Sequence, residues 1–409
     1  MMVGKTVVVG GGAAGLMAAI RAAGAGERVD LLEGNPRLGR KILISGHGRC
    51  NLPNLHADAP WHYHGGSPGF VRPSLERFPL QRTLDFFADL GIDTHVEKRG
   101  RLFPLSDQAQ AVVELLLDRA QCLGVKIHTG AKVCHLKRGE DRFQVVGQDG
   151  RQWMAERIIL ASGGRSLPKL GADSSGIDLA LSLGHSCTPL HPGLVPLLSP
   201  DPHVHKMQGV KVQAEVRIAL KGGREIADRD DLLLTAYGVS GLTILNLSAQ
   251  LVPLLDSGPV VLQVNLFPGK SPEQVSEELK MRWERNPHRS LEGSFWGLLA
   301  NKLVGPFLER FDLPRQQRVD RVGKKQRWRL AQALTCWPIE VTGPRSFEHA
   351  EVTIGGVCTG EVDPETLESY LVPGLYFAGE ILDVHGDLGG FNFQWAWSSG
   401  QVAGMRLGN

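Results

Sequence analysis

A short apolar strand that runs into three consecutive glycines constrains the fold of this chain more than any other sequence feature. The strand is predicted over Val3–Val9, the glycines are Gly10–Gly12, and an alanine-rich helix is predicted over Ala13–Ala23. A second short strand is predicted over Val29–Glu33. Because parallel neighbours need a crossover helix between them, this unit predicts a parallel sheet covered by helices, and therefore an α/β domain.

The glycines follow the pattern Gly10-x-Gly12-x-x-Gly15, and an acidic residue, Glu33, ends the next strand. This context is typical of a dinucleotide-binding fingerprint. Gly10 permits the tight turn, Gly12 lets the backbone approach a pyrophosphate, and Gly15 lets the helix lie close to the strand. The helix N-terminus favours the anion, and Glu33 is placed to accept hydrogen bonds from a ribose. The fingerprint alone does not separate FAD from NAD.

Basic and donor-rich residues follow the fingerprint. Arg40 and Lys41 lie just beyond the acidic residue, where they would neutralise phosphate charge. The run Ser45–Asn51, of sequence SGHGRCN, is small and rich in donors, so its backbone N–H groups would line an extended cofactor. The alternative is a solvated basic turn followed by a flexible glycine loop.

A third constellation lies near the C-terminus. Gly374–Glu380 is predicted as a strand that runs into a turn, and Asp383 and the segment Gly386–Trp397 follow, after which a helix begins. A glycine loop ahead of a helix N-terminus would stabilise negative charge on a reduced flavin ring. The alternative is an ordinary strand–helix connection in which Trp395 and Trp397 belong to the core.

Hydrophobic periodicity predicts the elements between these segments. Up to residue 164 it indicates helices over 75–90 and 107–123, strands over 125–127, 131–136 and 158–161, and a hairpin over 143–155.

The character of the sequence changes near residue 190. Alternation over 210–220 and 260–266 indicates an antiparallel sheet or barrel. A capping box at Ser271–Gln274 begins a mainly helical stretch that reaches Leu334. A last helix is predicted over 399–407.

Composition limits the class of protein. Lys plus Arg is 45 and Asp plus Glu is 43, and this near-balance, a net charge of +2, argues against a dedicated nucleic-acid binder. None of the six cysteines forms a C-x-x-C pair, which argues against a disulfide framework or a zinc site and favours a reducing compartment. No apolar run approaches the roughly 18 residues that a membrane helix needs. We therefore expect a cytoplasmic protein that binds neither metal nor membrane.

Stretches spread over the whole chain match one family. They are GGGAAGLMAA at 10–19, GRKILISGHGRCN at 39–51, GRLFP at 100–104, SLPKLGADSSG at 166–176, AEVTIGGV at 350–357 and, most specific, LVPGLYFAGEILDVHGDLGGFNFQWAWSSG at 371–400. With these stretches the chain resembles the bacterial FAD-binding oxidoreductases called aminoacetone-oxidase-like or bile-acid-inducible-flavoprotein-like.

The resemblance implies a domain organisation. A two-part, glutathione-reductase-type, Rossmann-like FAD domain would comprise 1–190 and 346–409. An antiparallel β-barrel-like domain over 191–270 and 335–345 would be inserted in it. That insert would itself carry a helical insert over 271–334.

The resemblance also implies the residues that contact FAD. In the fingerprint they are Gly12, Ala14 and Glu33, to which the glycine pattern itself adds Gly10 and Gly15. In the rest of the first half they are Arg40, Lys41, Ser45, Asn51 and Val133, whose backbone would lie beside the adenine. We also expect cofactor contacts at Arg49, Cys50, Gly163 and Gly164. Near the C-terminus they are Gly379, Glu380, Asp383, Gly390, Phe391, Asn392, Phe393 and Gln394.

The implied activity is that of an FAD-dependent oxidoreductase, which transfers a hydride between the flavin and a small organic substrate. Many flavoenzymes carry a second G-x-G-x-x-G for a nicotinamide, and the segment Ala161–Gly164 lacks that spacing. NAD(P)H would then dock transiently, or the electrons would come from the substrate and leave to oxygen. Two alternatives stay open, a flavoenzyme acting on nucleic acid such as tRNA and a flavin-bound redox sensor or scaffold without turnover.

Three residues are weak candidates for catalysis. Cys50 lies in the glycine loop, but without a C-x-x-C partner a packing role is favoured over a redox role. His47 and His385 flank the expected flavin region and would serve as general acids or bases, although a single histidine is more often structural. A basic run over 315–329 would contact a polyanion or, as we expect, form a solvated helical face.

Overall fold

The strand–helix–strand unit predicted at the N-terminus is confirmed. In the computed structural model, which describes residues 4–220 and 223–405, it consists of β1 (Lys5–Val9), α1 (Ala13–Gly24) and β2 (Arg28–Leu32). Val3, which begins the predicted strand, lies outside the described residues. β1 and β2 run parallel, with Val7 opposite Asp30.

The remaining elements that lie before residue 191 are short strands and helices. They are α2 (Arg40–Gly48), β3 (Tyr63–His64), α3 (Arg72–Arg77), α4 (Leu80–Asp89), β4 (Thr94–Val96), β5 (Leu102–Pro104), α5 (Ala109–Cys122), β6 (Lys126–His128), β7 (Val133–Arg138), β8 (Phe143–Gly147), β9 (Gln152–Ala155), β10 (Arg157–Leu160) and α6 (Ser175–Ser182).

The following segment is richer in long antiparallel strands. Its elements are β11 (His191–Gly193), β12 (Leu197–Leu198), α7 (Pro202–Lys206), β13 (Lys211–Ala219), β14 (Glu225–Thr235), β15 (Gly238–Ser240), α8 (Leu242–Leu255), β16 (Val260–Asn265), α9 (Pro272–Arg285), α10 (Asn301–Arg310), α11 (Lys324–Thr335), β17 (Trp337–Val341) and β18 (Gly343–Pro344). The last elements are β19 (Val352–Ile354), β20 (Leu375–Phe377), β21 (His385–Gly386) and α12 (Phe391–Gly404).

The chain divides into two units. The first comprises Met1–His191 and Glu351–Asn409, and the second comprises Pro192–Ala350. The first contains a parallel sheet of order β20-β10-β1-β2-β6. The second contains an antiparallel sheet of order β17-β16-β13-β14-β15-β12-β18, with α9, α10 and α11 in its helical stretch. The predicted α/β class with an antiparallel insert is confirmed.

The C-terminal helix α12 packs directly against α1. A Cβ on Gly400 would lie 2.5 Å from the carbonyl oxygen of Ala14, and a Cβ on Gly404 would lie 2.7 Å from that of Ala18. These two glycines therefore let the helices approach at backbone distance. The contact brings the last helix of the chain against the helix that follows the fingerprint.

Two predicted helix boundaries are wrong. The helix expected over 75–90 is split into α3 and α4, because Phe78 precedes Pro79 and takes a non-helical conformation with φ −134° and ψ 73°. The last helix begins at Phe391 and not at 399, since Gly390 ends the glycine loop and is the N-cap residue of α12. The predicted end of that helix, Leu407, lies outside the described residues.

Candidate functional site

The turn between β1 and α1 places two glycines where no side chain fits. Gly10 has a φ of +107°, and a Cβ there would lie 2.5 Å from the carbonyl oxygen of Ala161. A Cβ on Gly15 would overlap the carbonyl oxygen of Gly10. These approaches bring the start of α1 directly against the ends of β1 and β10.

The N-terminus of α1 faces open space at Gly12. None of the described side chains caps this helix, and a Cβ on Gly12 would meet no described atom within 4 Å. The N–H groups of the first turn and the positive end of the helix dipole favour an anion at such a position. This open cradle fits the pyrophosphate of a dinucleotide.

Glu33 holds the two loops that border this cradle. Its side chain, 9% exposed, accepts hydrogen bonds from the backbone N–H of Gly11 at 2.8 Å and of Asn35 at 2.7 Å. The carbonyl oxygen of Glu33 accepts from the N–H of Ala131 at 2.8 Å, which places the start of β7, at Val133, beside it. The carboxylate therefore lies at the edge of the cradle, where a ribose would follow the pyrophosphate.

The predicted cations near the fingerprint bind protein groups in this structure. Arg40 donates to the side chain of Asn35 at 2.7 Å and to the carbonyl oxygen of Lys169 at 2.9 Å. Arg49 pairs with Glu97 at 2.6 Å, and its guanidinium lies 4.2 Å from the centre of the Phe103 ring. Both cations anchor loops here.

Lys41 links the cradle to the C-terminal segment. Its ammonium group donates to Glu380 at 2.6 Å and to Ser166 at 2.7 Å. Glu380 also accepts from the backbone N–H of Thr353 at 2.7 Å. A Cβ on Gly163 would lie 3.8 Å from this carboxylate, and one on Gly164 would overlap Thr353. The turn after β10 therefore meets the turn after β20.

Gly379 closes the same region from the C-terminal side. It has a φ of +76°, and a Cβ there would lie 2.8 Å from the Cβ of Ala14 in α1. Its N–H donates to Ser399 at 2.9 Å, and its carbonyl oxygen accepts from the indole of Trp395 at 3.1 Å. Asp383 follows, and its carboxylate lies close to Gly65, because a Cβ added to Gly65 would lie 2.6 Å from one of its oxygens.

The glycine loop after α2 is tied to the loop before α12. Ser45, Gly46 and His47 leave helical geometry, and the hydroxyl of Ser45 donates to the carbonyl oxygen of Ile42 at 2.8 Å. The amide of Asn51, in the orientation that satisfies both of its ends, accepts from the N–H of Gly390 at 3.1 Å. The resemblance implies that these segments meet at one cofactor, and the structure brings them together.

The start of α12 has both polar and buried residues. The side chain of Asn392 accepts from the N–H of Gly386 at 2.8 Å and donates to its carbonyl oxygen at 2.9 Å. Gln394 is fully buried and donates to the carbonyl oxygen of Phe78, and Phe393 stacks on Trp397. Gln394 and Phe393 therefore serve packing with their side chains, and the N–H groups of this turn remain the groups that would contact a flavin.

The three catalytic candidates lie in different environments. Cys50 is fully buried, and burial raises the pKa of its thiol to about 12, so the thiol stays protonated. His47 is exposed in a left-handed conformation. His385 is buried, and burial together with the nearby His64 lowers its pKa to about 4. His385 therefore lies beside another ionisable group, the imidazole of His64.

Sequence reasoning missed a cluster of two histidines and one carboxylate. Nδ1 of His62 lies 2.8 Å from one oxygen of Asp387, and Nε2 of His64 lies 2.7 Å from the other. We call these three residues the His–Asp cluster. The signal was the spacing of two histidines in His62-x-His64 and of His385-x-Asp387, since alternate residues of paired strands share one face.

Over residues 4–220 and 223–405, no group of three or more His, Cys, Asp or Glu side chains is arranged to hold a metal ion. Within the same residues, no helix has the length and apolar character that a bilayer crossing needs.

The basic run over 315–329 is partly neutralised. Arg315 pairs with Glu292 at 2.7 Å and with Glu309 at 2.6 Å, and Arg318 pairs with Asp320 at 2.5 Å.

A second set of arginines lines a cleft of about 370 Å³ in the second unit, formed in part by Arg282, Arg285 and Arg289.

Comparison with known proteins gives a full-length match. Residues 4–406 match the HI0933-like protein Rossmann domain. The chain is 38% identical to the 3-dehydro-bile acid delta(4,6)-reductase of Clostridium scindens, over 97% of each protein. It is 34% identical to the ribosomal RNA dihydrouridine synthase of Escherichia coli, over 98% of this chain and 97% of that one. The synthase of the same name from Haemophilus influenzae is 32% identical over 98% of both chains.

Proposed function

Because the chain belongs to the HI0933-like Rossmann-domain family and is an oxidoreductase, we propose that it uses FAD to reduce a carbon–carbon double bond conjugated to a carbonyl group. The family resemblance found from sequence is confirmed. The activities for which these two relatives are named are, chemically, reductions of such a bond. A small organic molecule with this conjugated group is the substrate that we favour.

The observation that carries the cofactor assignment is the open, uncapped N-terminus of α1. Backbone atoms pack tightly against Gly10 and Gly15 at this turn. At Gly12, in contrast, no described atom occupies the space that a side chain would take. Glu33 lies at its edge and Gly379 lies against its first turn. We infer that the N–H groups at Gly12 and Ala14 bind the pyrophosphate and that Glu33 binds the ribose.

The remaining contacts would orient the flavin. When bound, FAD accepts and donates a hydride, and the protein supplies position and electrostatics. The N-terminus of α12, held by Asn392 and by the Asn51–Gly390 hydrogen bond, would stabilise negative charge at the ring. A reduced nicotinamide, NADH or NADPH, is the electron donor that we propose, docking transiently because the chain shows one fingerprint.

The test is anaerobic and spectroscopic. Purified protein should show flavin absorbance near about 450 nm, NADH or NADPH should bleach it, and cyclohex-2-enone as a conjugated probe should restore it. Protein that binds no added FAD would contradict the proposal. Flavin that is bound but never bleached would favour substrate-driven oxidase chemistry or a scaffold without turnover.

RNA is a second candidate substrate, favoured by the arginine cleft of the second unit. Arg285 and Arg289 are exposed at its rim, and the indole of Trp296, which is 58% exposed, belongs to the same unit. Exposed aromatic rings beside cations bind single-stranded RNA by stacking and charge. Two curated relatives are ribosomal RNA dihydrouridine synthases.

Binding to a labelled ribosomal RNA fragment at several salt concentrations tests this second candidate. If RNA is the substrate, the double variant Arg285→Glu/Arg289→Glu should bind more weakly, with a shallower salt dependence. Arg142→Glu, an exposed site in the first unit, is the control and should bind as the wild type does. Equal binding by all three proteins would remove the support that the cleft gives to RNA.

A further inference from the structure

The His–Asp cluster is held by backbone as well as side chains. His64 faces His385 where β3 pairs with β21, and the N–H of Asp387 donates to the carbonyl oxygen of His62 at 2.9 Å. The side chains of His62 and His64 are therefore fixed on the same carboxylate. A cluster of this kind can hold one additional proton, shared between two imidazoles and balanced by one negative charge.

A third histidine lies against the cluster without joining it. The ring centres of His385 and His64 are 5.5 Å apart. His385 is 4% exposed, and its Nδ1 has no hydrogen-bond partner among the described residues. It therefore stays neutral near pH 7, and an additional proton would reside on the cluster.

The cluster adjoins the N-terminus of α12. The ring of Phe391, the first residue of that helix, lies 4.3 Å from the ring of His62. Asn392 holds Gly386, the residue before Asp387, through two hydrogen bonds. Because the proposed function places the flavin ring at this helix N-terminus, the cluster lies beside the reacting end of the cofactor site.

The cluster also reaches solvent. The side chains of His62 and His64 are 26% and 28% exposed. Burial acts to raise the pKa of Asp387, but the hydrogen bonds from His64 and His62 outweigh it and hold that pKa below its ordinary value. The carboxylate therefore stays ionised, and water can restore a proton that an imidazole gives away.

We propose that the His–Asp cluster supplies the proton of the reduction, an inference that rests on the proposed function. Reducing a conjugated double bond adds a hydride to one carbon and a proton to the other. The two electrons come from the reduced nicotinamide by way of FAD, which ends oxidised. An imidazolium of the cluster, on His62 or His64, gives the proton and becomes neutral, and water then reprotonates it.

Other ionisable groups face the cluster or its strands, and two of them are held in other interactions. The phenol of Tyr63 donates to the carbonyl oxygen of Ala57, and burial raises its pKa far above the working range. Glu380 is paired with Lys41. The further groups that face the cluster or its strands are His385, Asp58 and Asp383.

The test is the pH dependence of the midpoint potential of the FAD-loaded protein without substrate, between about pH 5.5 and 8.5. Negative charge on reduced FAD favours protonation of nearby histidines. Between these pH values, the wild type should therefore take up one proton more per two electrons than the flavin itself requires. The double variant His62→Gln/His64→Gln should lose that proton, and Asp387→Asn, which removes the balancing negative charge, should take up less of it.

The matched control is His203→Gln. His203 is 27% exposed and lies 3.2 Å from Asp201 in the second unit, so it resembles His64 in exposure and partner. It should keep the wild-type slope. A wild-type slope in His62→Gln/His64→Gln overturns the proton assignment while the cofactor assignment stands, whereas a protein that binds no FAD overturns both.

Discussion

The ammonium group of Lys41 and the carboxylate of Glu380, 339 positions apart in the chain, form an ion pair of 2.6 Å. Ser166 joins them, since it accepts from Lys41 and donates to Glu380 at 3.0 Å. The pair connects the glycine loops of the N-terminal and C-terminal segments at the edge of the proposed cofactor site. Its geometry therefore bears on both stability and cofactor binding.

Glu380→Gln should destabilise the protein by about 1–2 kcal/mol and weaken FAD binding. The variant keeps an oxygen for the N–H of Thr353 but leaves the half-buried Lys41 without its counter-ion. Denaturant unfolding and FAD titration measure the two effects. Glu365→Gln is the control, because its 2.6 Å pair with Arg77 is more exposed and should cost less than about 0.5 kcal/mol. Equal losses in both variants would contradict the role given to Glu380.

Gly15→Ala should destabilise the protein by more than about 3 kcal/mol, because its Cβ would overlap the carbonyl oxygen of Gly10. Gly24→Ala, at the other end of α1, is the matched variant. Its Cβ would meet Leu123 at 4.0 Å, an ordinary contact, so it should gain about 0.4–1 kcal/mol. Thermal unfolding compares the two, and similar stabilities would show that the close helix–strand approach is wrong.

Cys50 should resist alkylation in the folded protein. Its thiol is buried and stays protonated, whereas Cys122, Cys134 and Cys336 are exposed. Mass spectrometry after a short iodoacetamide treatment should find label on the exposed cysteines and none on Cys50. In Cys50→Ala, NAD(P)H should still bleach the flavin. Loss of bleaching in a folded variant would instead support a redox role for Cys50.

His385 should make the protein less stable in mild acid. Its pKa falls from 6.5 to about 4 on folding, so the unfolded chain binds more protons between those values. Stability therefore rises with pH across this window and is lost as the pH falls from 6.5 towards 4, by an amount on the order of 3 kcal/mol. His385→Phe should lose this dependence in melting experiments. An unchanged acid slope in that variant would mean that other groups cause it.

Much of the first unit could be predicted because its signals are local. The glycine spacing, the two flanking strands and Glu33 are adjacent in sequence, and the structure gives each the predicted element. The antiparallel strands of the second unit likewise follow from alternation along β13 and β16. Such signals predict well because alternation every two residues and glycines at a turn both depend directly on the local backbone conformation.

What escaped prediction depends on contacts between distant segments. The sequence assigned Arg40 and Lys41 to a phosphate, but it could not show that they bind the carbonyl oxygen of Lys169 and the carboxylate of Glu380, because these partners are distant in the chain. The His–Asp cluster forms because β3 pairs with β21, a register that no local pattern specifies. The split between α3 and α4 was available in the sequence, since Pro79 interrupts the helix.

FAD affinity of two aspartate variants tests the central claim most directly. Gly12 and Gly323 are both extended N-cap residues at which a Cβ would meet no described atom within 4 Å, so an added side chain fits at either. Gly12→Asp would place a carboxylate where the pyrophosphate binds, and FAD affinity should fall by at least about 100-fold, because like charges in such a site cost several kcal/mol. Gly323→Asp should bind FAD as the wild type does. Wild-type affinity in Gly12→Asp would show that the cofactor is not held at this helix.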